Sequence, residues 1–155
     1  MYRVLIADDD ILMREALHVM IAKDSAFKVV SMTDTGERAV RVCKEDVIDI
    51  VFMDMQMPGI TGLEASRIIH QSNPEISIYI LSAHAANVLI RSAAQSQVKD
   101  VLEKPITYSC LKKIMENYKT EHEDSVQNQL EILASYLRNK DFGDFYDGIA
   151  GVIDE

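Results

Sequence analysis

The chain has 155 residues, of which 48% are hydrophobic, enough for one domain with a full core and an appendage. Its formal net charge of −9 is uneven, since residues 121–155 carry nine acidic and only two basic side chains. This charge argues against direct binding of nucleic acid or of an anionic membrane. Cys43 and Cys110 are too few for a disulfide framework or a zinc site and are expected to be buried thiols. No apolar run has the length of a membrane span or the form of a signal peptide, so a cytoplasmic location is expected.

The chain begins with a strand, a group of acids and a helix. Tyr2–Ala7 has the apolar composition of a buried strand and leads directly into Asp8, Asp9 and Asp10. Apolar residues then recur at spacings of three and four through about Lys23, which predicts an amphipathic helix. The predicted inner face comprises Leu12, Ala16, Leu17, Met20 and Ile21.

Four more strand-and-helix units follow. The predicted strands span residues 27–32, 48–53, 76–81 and 98–102. The predicted helices end at about Asp46, before Asn73 and at about Gln95, and Thr107 is the predicted N-cap of the fifth. Five strands that alternate with five helices predict an α/β fold, a doubly wound parallel sheet with helices on both faces. In the fourth helix, Val88, Leu89 and Ala93 are predicted to be buried.

Polar side chains stand at the ends of several of these strands. Asp8 and Asp9 follow the first strand, Asp54 the third, Ser82 the fourth, and Lys104 the fifth. Because parallel strands end at one edge of a sheet, these residues are expected to form one pocket. Clustered carboxylates repel one another unless a cation lies among them, and oxygen ligands suit Mg²⁺. A carboxylate nucleophile, a metal and a lysine together favour phosphoryl transfer to Asp54.

These motifs carry a family resemblance over residues 1–120. The chain resembles the receiver domain of two-component response regulators, a CheY-like, flavodoxin-like fold with strand order 2-1-3-4-5 and five helices. The resemblance implies a cis peptide bond between Lys104 and Pro105. The matching residues are Asp8-Asp9, Asp54, Met57-Pro58-Gly59, Gly62, Ser82-Ala83 and Lys104-Pro105.

The resemblance also implies a role for each site residue. Asp54 would be the phosphoacceptor, phosphorylated by a sensor histidine kinase or by a small phosphodonor. Mg²⁺, or another divalent cation such as Mn²⁺, would be bound by Asp9, by Asp54, by the backbone carbonyl of Gln56 and by Asp8 through water. Ser82 would be the switch hydroxyl and Lys104 the phosphate partner. Such a protein is a signalling switch rather than a turnover enzyme, and its usual output is dimerisation through the face of helix four, strand five and helix five.

Two departures from the family pattern keep alternatives open. Val101 stands where the family often has an aromatic rotamer switch, and Gln97-Val98 replaces the usual Gly-Ala. A receiver-like scaffold that does not cycle phosphate is therefore an alternative. A haloacid-dehalogenase-like phosphatase is disfavoured because Gln56 stands where that motif needs a second acid. A nucleotide-binding module is disfavoured because no Gly-rich loop follows the first strand.

Residues 121–155 are predicted to be an acidic helical extension, a linker or dimerisation hairpin. The polar segment 119–129 is predicted to continue the fifth helix, and a break is predicted at residues 141–147, before a second apolar cluster. The hairpin either folds back on the domain or pairs with a second chain. The chain is accordingly interpreted as the N-terminal part of a longer transcriptional regulator or as a stand-alone phosphorelay receiver. A coiled-coil-like stripe comprises Val126, Leu130, Leu133 and Leu137.

Overall fold

The structure is a computed structural model that describes residues 1–139. Strands and helices alternate along this part of the chain, as the sequence predicts. The strands are β1 (Tyr2–Ala7), β2 (Phe27–Thr33), β3 (Ile50–Asp54), β4 (Ser77–Ser82) and β5 (Asp100–Glu103). The helices are α1 (Ile11–Ile21), α2 (Gly36–Glu45), α3 (Gly62–Ser72), α4 (Val88–Ala94) and α5 (Tyr108–Asn139).

The five strands form one sheet in the order β2-β1-β3-β4-β5. Every neighbouring pair is parallel, which confirms the predicted doubly wound fold. All five residues of β3 are buried, because helices cover both faces of the sheet at its centre. The core is mostly aliphatic around Phe52, which stacks on Tyr79 with ring centroids 5.5 Å apart.

Polar caps begin several helices close to the edge where the strands end. Asp10 caps α1 by accepting the N–H of Leu12, and Thr35 and Thr61 cap α2 and α3 in the same manner. The chain therefore turns sharply from strand into helix, and the residues between them stay near one edge of the sheet. The peptide bond between Lys104 and Pro105 is cis, as the resemblance implied.

The sequence pattern was wrong about two helix faces. Leu12 is 79% exposed in α1, and Val88 and Leu89 are 74% and 79% exposed in α4. Helix α4 has only seven residues, and Ala94 is its buried one, with Ile90 half-buried one turn earlier. Ala93, which was also predicted to be buried, is exposed, so the buried side of α4 lies about one residue further along the chain than predicted.

The two cysteines were expected to be buried, but neither is fully buried and their exposure differs. Cys43 is half-buried, whereas Cys110 is exposed. Cys110 lies in the first turn of α5, where its backbone N–H donates to the Oγ1 of Thr107 at 3.2 Å. This hydrogen bond confirms Thr107 as the capping residue of α5.

Helix α5 runs without interruption to Asn139, so the prediction that residues 119–129 continue the fifth helix is confirmed. The chain divides into two compact units, Met1–Leu111 and a second that starts at Lys112. Within the second unit, Val126, Leu130 and Leu137 are 56%, 55% and 58% exposed. The predicted break at 141–147 and the second apolar cluster lie outside the described residues. None of the helices within residues 1–139 combines the length and the hydrophobicity that a membrane span requires.

Candidate functional site

Three carboxylates meet at the edge of the sheet where the strands end. Ala7 and Met53 are register partners in β1 and β3, so the acids that follow them, Asp8 and Asp54, lie side by side. Oxygen atoms of Asp8, Asp9 and Asp54 all lie within 4.8 Å of one another. Asp8 is fully buried and Asp54 is 5% exposed, whereas Asp9 faces solvent. Two acids are thus removed from water, and one remains at the mouth.

Lys104 brings a positive charge to the two buried acids. Its Nζ lies 2.9 Å from Oδ1 of Asp54 and 3.5 Å from Oδ2 of Asp8. The backbone N–H of Lys104 donates to the carbonyl of Ser82 at 2.9 Å, which holds the residue beside the end of β4. The lysine side chain is 25% exposed, so the ion pairs are partly shielded from solvent.

Ser82 completes the set of strand-end groups. It is the last residue of β4, only 3% exposed, and its Oγ accepts the backbone N–H of His84 at 3.0 Å. The hydroxyl hydrogen therefore remains able to donate to a group that enters from the cleft. A cavity of about 170 Å³ is lined by residues that include Asp54, Gln56, Ser82, His84 and Lys104.

The electrostatics of the site favour added positive charge. Burial raises the pKa of the Asp8 carboxyl; the N–H of Asp10 opposes this shift, and the charge of Asp54 adds to it. Burial acts to lower the pKa of Lys104, but the hydrogen bond to Asp54 and the charges of both acids outweigh it and raise that pKa. One lysine thus stays protonated among acids whose negative charge it does not fully balance.

The donor set fits a divalent cation. Three carboxylates from two strand ends converge without a closed protein cage, and one of them is accessible to solvent. Hard cations such as Mg²⁺ prefer oxygen ligands and keep several waters in such open sites. The pKa of Asp8 is raised mainly by burial and to a smaller extent by the charge of Asp54, and a bound cation would offset this second contribution.

The loop between β3 and α3 shapes one wall of the site. The N–H of Gln56 donates to Oδ1 of Asp54 at 3.3 Å, and Gly62 closes the loop by donating to the carbonyl of Met55 at 2.9 Å. A Cβ on Gly62 would collide with the carbonyl oxygen of Asp54, so glycine is required by close backbone approach. The side chain of Gln56 is exposed at the cleft.

The structure brings the predicted strand-end residues together. Asp8, Asp9 and Asp54 form the acid cluster, and Lys104 contacts two of these acids. Val101 is different: it is 3% exposed within β5 and lines a separate cavity beside α4.

Sequence reasoning missed two residues. The Nη1 of Arg14 donates to the backbone carbonyl of Asp8 at 2.6 Å, and Glu37 binds the loop between β3 and α3. The four-residue spacing from the cap Asp10 to Arg14 could have indicated that Arg14 lies above the strand end. No sequence signal indicates the contact of Glu37, whose partner lies 23 residues away.

Comparisons with known proteins identify related sequences. The family model for the response regulator receiver domain matches residues 4–116. Response regulator UvrY of Escherichia coli (strain K12) is 38% identical over 104 residues, which are 67% of this chain and 48% of UvrY. Transcriptional regulatory protein DegU of Brevibacillus brevis is 34% identical over 82 residues, 53% of this chain and 35% of DegU. The chain spans less than half the length of these two relatives.

A solved structure shows the same fold. The receiver domain of the sensor histidine kinase PA1611 from Pseudomonas aeruginosa PAO1 superposes with a TM-score of 0.66. It is 23% identical and covers 75% of this chain and 95% of its own. That receiver domain has a magnesium ion coordinated in its active-site cleft.

Proposed function

Because this chain belongs to the family of response regulator receiver domains, we propose that Asp54 accepts a phosphoryl group from a sensor histidine kinase. The observation that carries the proposal is the position of Asp54, within 4.8 Å of two other acids and 2.9 Å from the Nζ of Lys104. A carboxylate in such a place is desolvated, oriented and reachable from the cleft. A small phosphodonor such as acetyl phosphate can replace the kinase.

The transfer itself exchanges one bond for another. An oxygen of Asp54 forms a bond to phosphorus while the bond from phosphorus to the histidine nitrogen of the kinase breaks. The electron pair stays on that nitrogen, which takes up a proton. The chain therefore becomes an acyl phosphate and acts as a signalling switch that performs only its own phosphorylation and dephosphorylation.

Each neighbour of Asp54 has a proposed part in this step. Asp9, Asp54 and the backbone carbonyl of Gln56 hold Mg²⁺ or Mn²⁺, and Asp8 contributes through water. The bound cation supplies charge neutralisation for the phosphoryl oxygens. Lys104 pairs with the added negative charge, and the Ser82 hydroxyl donates a hydrogen bond to a phosphoryl oxygen. Support comes from the acid cluster of this chain and from the magnesium ion in the PA1611 receiver domain.

The output that we propose is altered partner binding or dimerisation, which controls transcription through an output domain outside this chain. The similarity to DegU, a transcriptional regulatory protein, supports this part of the proposal. A cytoplasmic location, where the kinase domain would meet the receiver, belongs to the same proposal. Val101 cannot act as an aromatic lever, so the signal must leave the site by another route.

Dimerisation has two candidate surfaces. One is the face formed by α4, β5 and α5, and the other is the stripe on the C-terminal part of α5. The exposure of Val126, Leu130 and Leu137 favours the stripe, because exposed apolar residues at heptad spacing are typical of helix pairing. Sizing of the phosphorylated and unphosphorylated chain, with Leu130→Glu as the variant, distinguishes the two surfaces.

The function is tested by the intact mass of the chain after incubation with acetyl phosphate and Mg²⁺. We expect one added phosphoryl group, which is absent without Mg²⁺ and absent in Asp54→Asn. Asp10→Asn is the matched control, since it makes the same chemical change one residue beyond the cluster and keeps a good helix cap. A folded wild-type chain without an adduct, beside a receiver that does react, would instead favour the scaffold that does not cycle phosphate.

A further inference from the structure

A contact outside the acid cluster joins α2 to the loop that carries Gln56. Glu37 lies in the first turn of α2, and its Oε1 accepts the backbone N–H of Ile60 at 2.9 Å. Ile60 lies in the loop between β3 and α3, two residues before Gly62 and 23 residues from Glu37 in sequence. The hydrogen bond is charge-assisted, because a carboxylate accepts from a backbone amide. It lowers the pKa of Glu37, so the acceptor stays ionised at neutral pH.

The surfaces around this hydrogen bond are closely matched. Gly59 has φ of 85°, and a Cβ on it would collide with the carboxylate of Glu37. A Cβ on Gly36, the residue before Glu37, would come within 2.7 Å of the side chain of Ile60. Two glycines on opposite sides thus allow the start of α2 and the second half of the loop to approach each other. All four residues of the contact therefore have either no side chain, as Gly36 and Gly59, or a side chain that lies against the other segment, as Glu37 and Ile60.

The same loop leads back to the acid cluster within a few residues. Its ends are fixed, since Met55 donates to the carbonyl of Leu81 and Gly62 donates to the carbonyl of Met55, each at 2.9 Å. Gln56 lies just inside one fixed end, and its own N–H makes only a long hydrogen bond of 3.3 Å to Asp54. A restraint at Ile60 therefore limits how far the peptide of Gln56 can move away from Asp54.

We infer that Glu37 is a positioning residue that holds the loop between β3 and α3, and with it the backbone carbonyl of Gln56, in the geometry required for divalent cation binding. The inference rests on the proposed function, because it assumes that the carbonyl of Gln56 is a ligand. Glu37 itself touches neither the cation nor the phosphoryl group. It acts on the affinity for the cation by keeping one ligand in place before binding.

The test is calorimetric titration of Mg²⁺ into the wild-type chain and into Glu37→Ala and Glu37→Gln. We expect Glu37→Ala to weaken Mg²⁺ binding roughly tenfold, the lower end of what loss of a supporting contact costs. Glu37→Gln should restore part of the affinity, because its amide oxygen can still accept the N–H of Ile60. Glu45→Ala is the matched control, since Glu45 is an exposed acid at the opposite end of the same helix.

Hydrogen exchange of the Ile60 amide in the cation-free chain is the second readout. It should become faster in Glu37→Ala and stay unchanged in Glu45→Ala. Faster exchange with unchanged Mg²⁺ affinity would overturn the inference and leave Glu37 a purely structural residue. A wild-type chain that binds no Mg²⁺ would remove the cation site and this inference together. A chain that binds Mg²⁺ but takes no phosphoryl group would contradict the role of Asp54. The Mg²⁺ affinities of the Glu37 variants would still test whether Glu37 positions the loop.

Discussion

At the scale of single residues, the site is a balance between three acids and Lys104. The meeting of Asp8, Asp54 and Lys104 could be predicted, because parallel strands end at one edge and each of these residues follows a strand. Arg14 and Glu37 were not predicted as contributors: the contact of Arg14 with the carbonyl of Asp8 is indicated only by its spacing from Asp10, and the contact of Glu37 has no sequence signal because its partner lies 23 residues away in a folded loop. Residues with reactive side chains can be recognised in a sequence by their type and position. A residue whose side chain binds a distant backbone group cannot be recognised in this manner.

The two cysteines provide a prediction at this scale. Burial raises the pKa of the Cys43 thiol to about 12, so it is protonated at neutral pH, and its half-buried position also restricts access. Cys110 is exposed. We expect iodoacetamide to modify Cys110 well before Cys43 in the native chain, as followed by mass spectrometry of digested samples. In Cys110→Ser the remaining thiol should react slowly until urea unfolds the chain; equal native rates for both thiols would contradict the burial of Cys43.

At the scale of secondary-structure elements, the order and the type of the strands and helices could be predicted from the sequence. The buried faces of the helices could be predicted less well. All five strands of the sheet were predicted from their apolar runs, and the run is most continuous in the central strand β3, which is buried on both faces. The face of α4 was predicted wrongly, since a helix of seven residues holds too few apolar positions to establish its phase. The exposed Val88 and Leu89 show that an apolar residue in a short helix does not by itself indicate the core.

The junction between β3 and α3 yields a prediction at this scale. Gly62→Ala would raise helix propensity, yet its Cβ would meet the carbonyl oxygen of Asp54. We expect the steric cost to dominate and the free energy of unfolding to fall by about 1–3 kcal/mol, the usual range for an overfilled site. Urea unfolding followed by circular dichroism measures this change.

The matched control for Gly62→Ala is Gln71→Ala in the same helix. Gln71 is exposed near the end of α3, so alanine there should leave stability unchanged or raise it slightly. Should Gly62→Ala prove as stable as the wild-type chain, the close approach of α3 to the end of β3 would be contradicted.

At the scale of the whole molecule, the acid cluster and the exposed apolar stripe belong to two different units of the chain. The first unit, Met1–Leu111, holds the acid cluster and Lys104. The second begins within α5 and exposes an apolar stripe on a helix that is otherwise rich in acids. The family and fold followed from spaced motifs in the sequence, but the use of the stripe depends on which surface a partner covers. The match also covers only 48% of the length of UvrY.

Asp54, and no other acid of the cluster, is the residue that we propose to carry the phosphoryl group. Borohydride reduction of the phosphorylated chain, followed by digestion and peptide sequencing by mass spectrometry, tests this proposal most directly, because borohydride converts an aspartyl phosphate to homoserine. We predict homoserine at position 54 and unmodified aspartate at positions 8 and 9. Homoserine at Asp8 or Asp9, or at no position in a chain whose mass shows the adduct, would contradict the assignment of Asp54 as the acceptor.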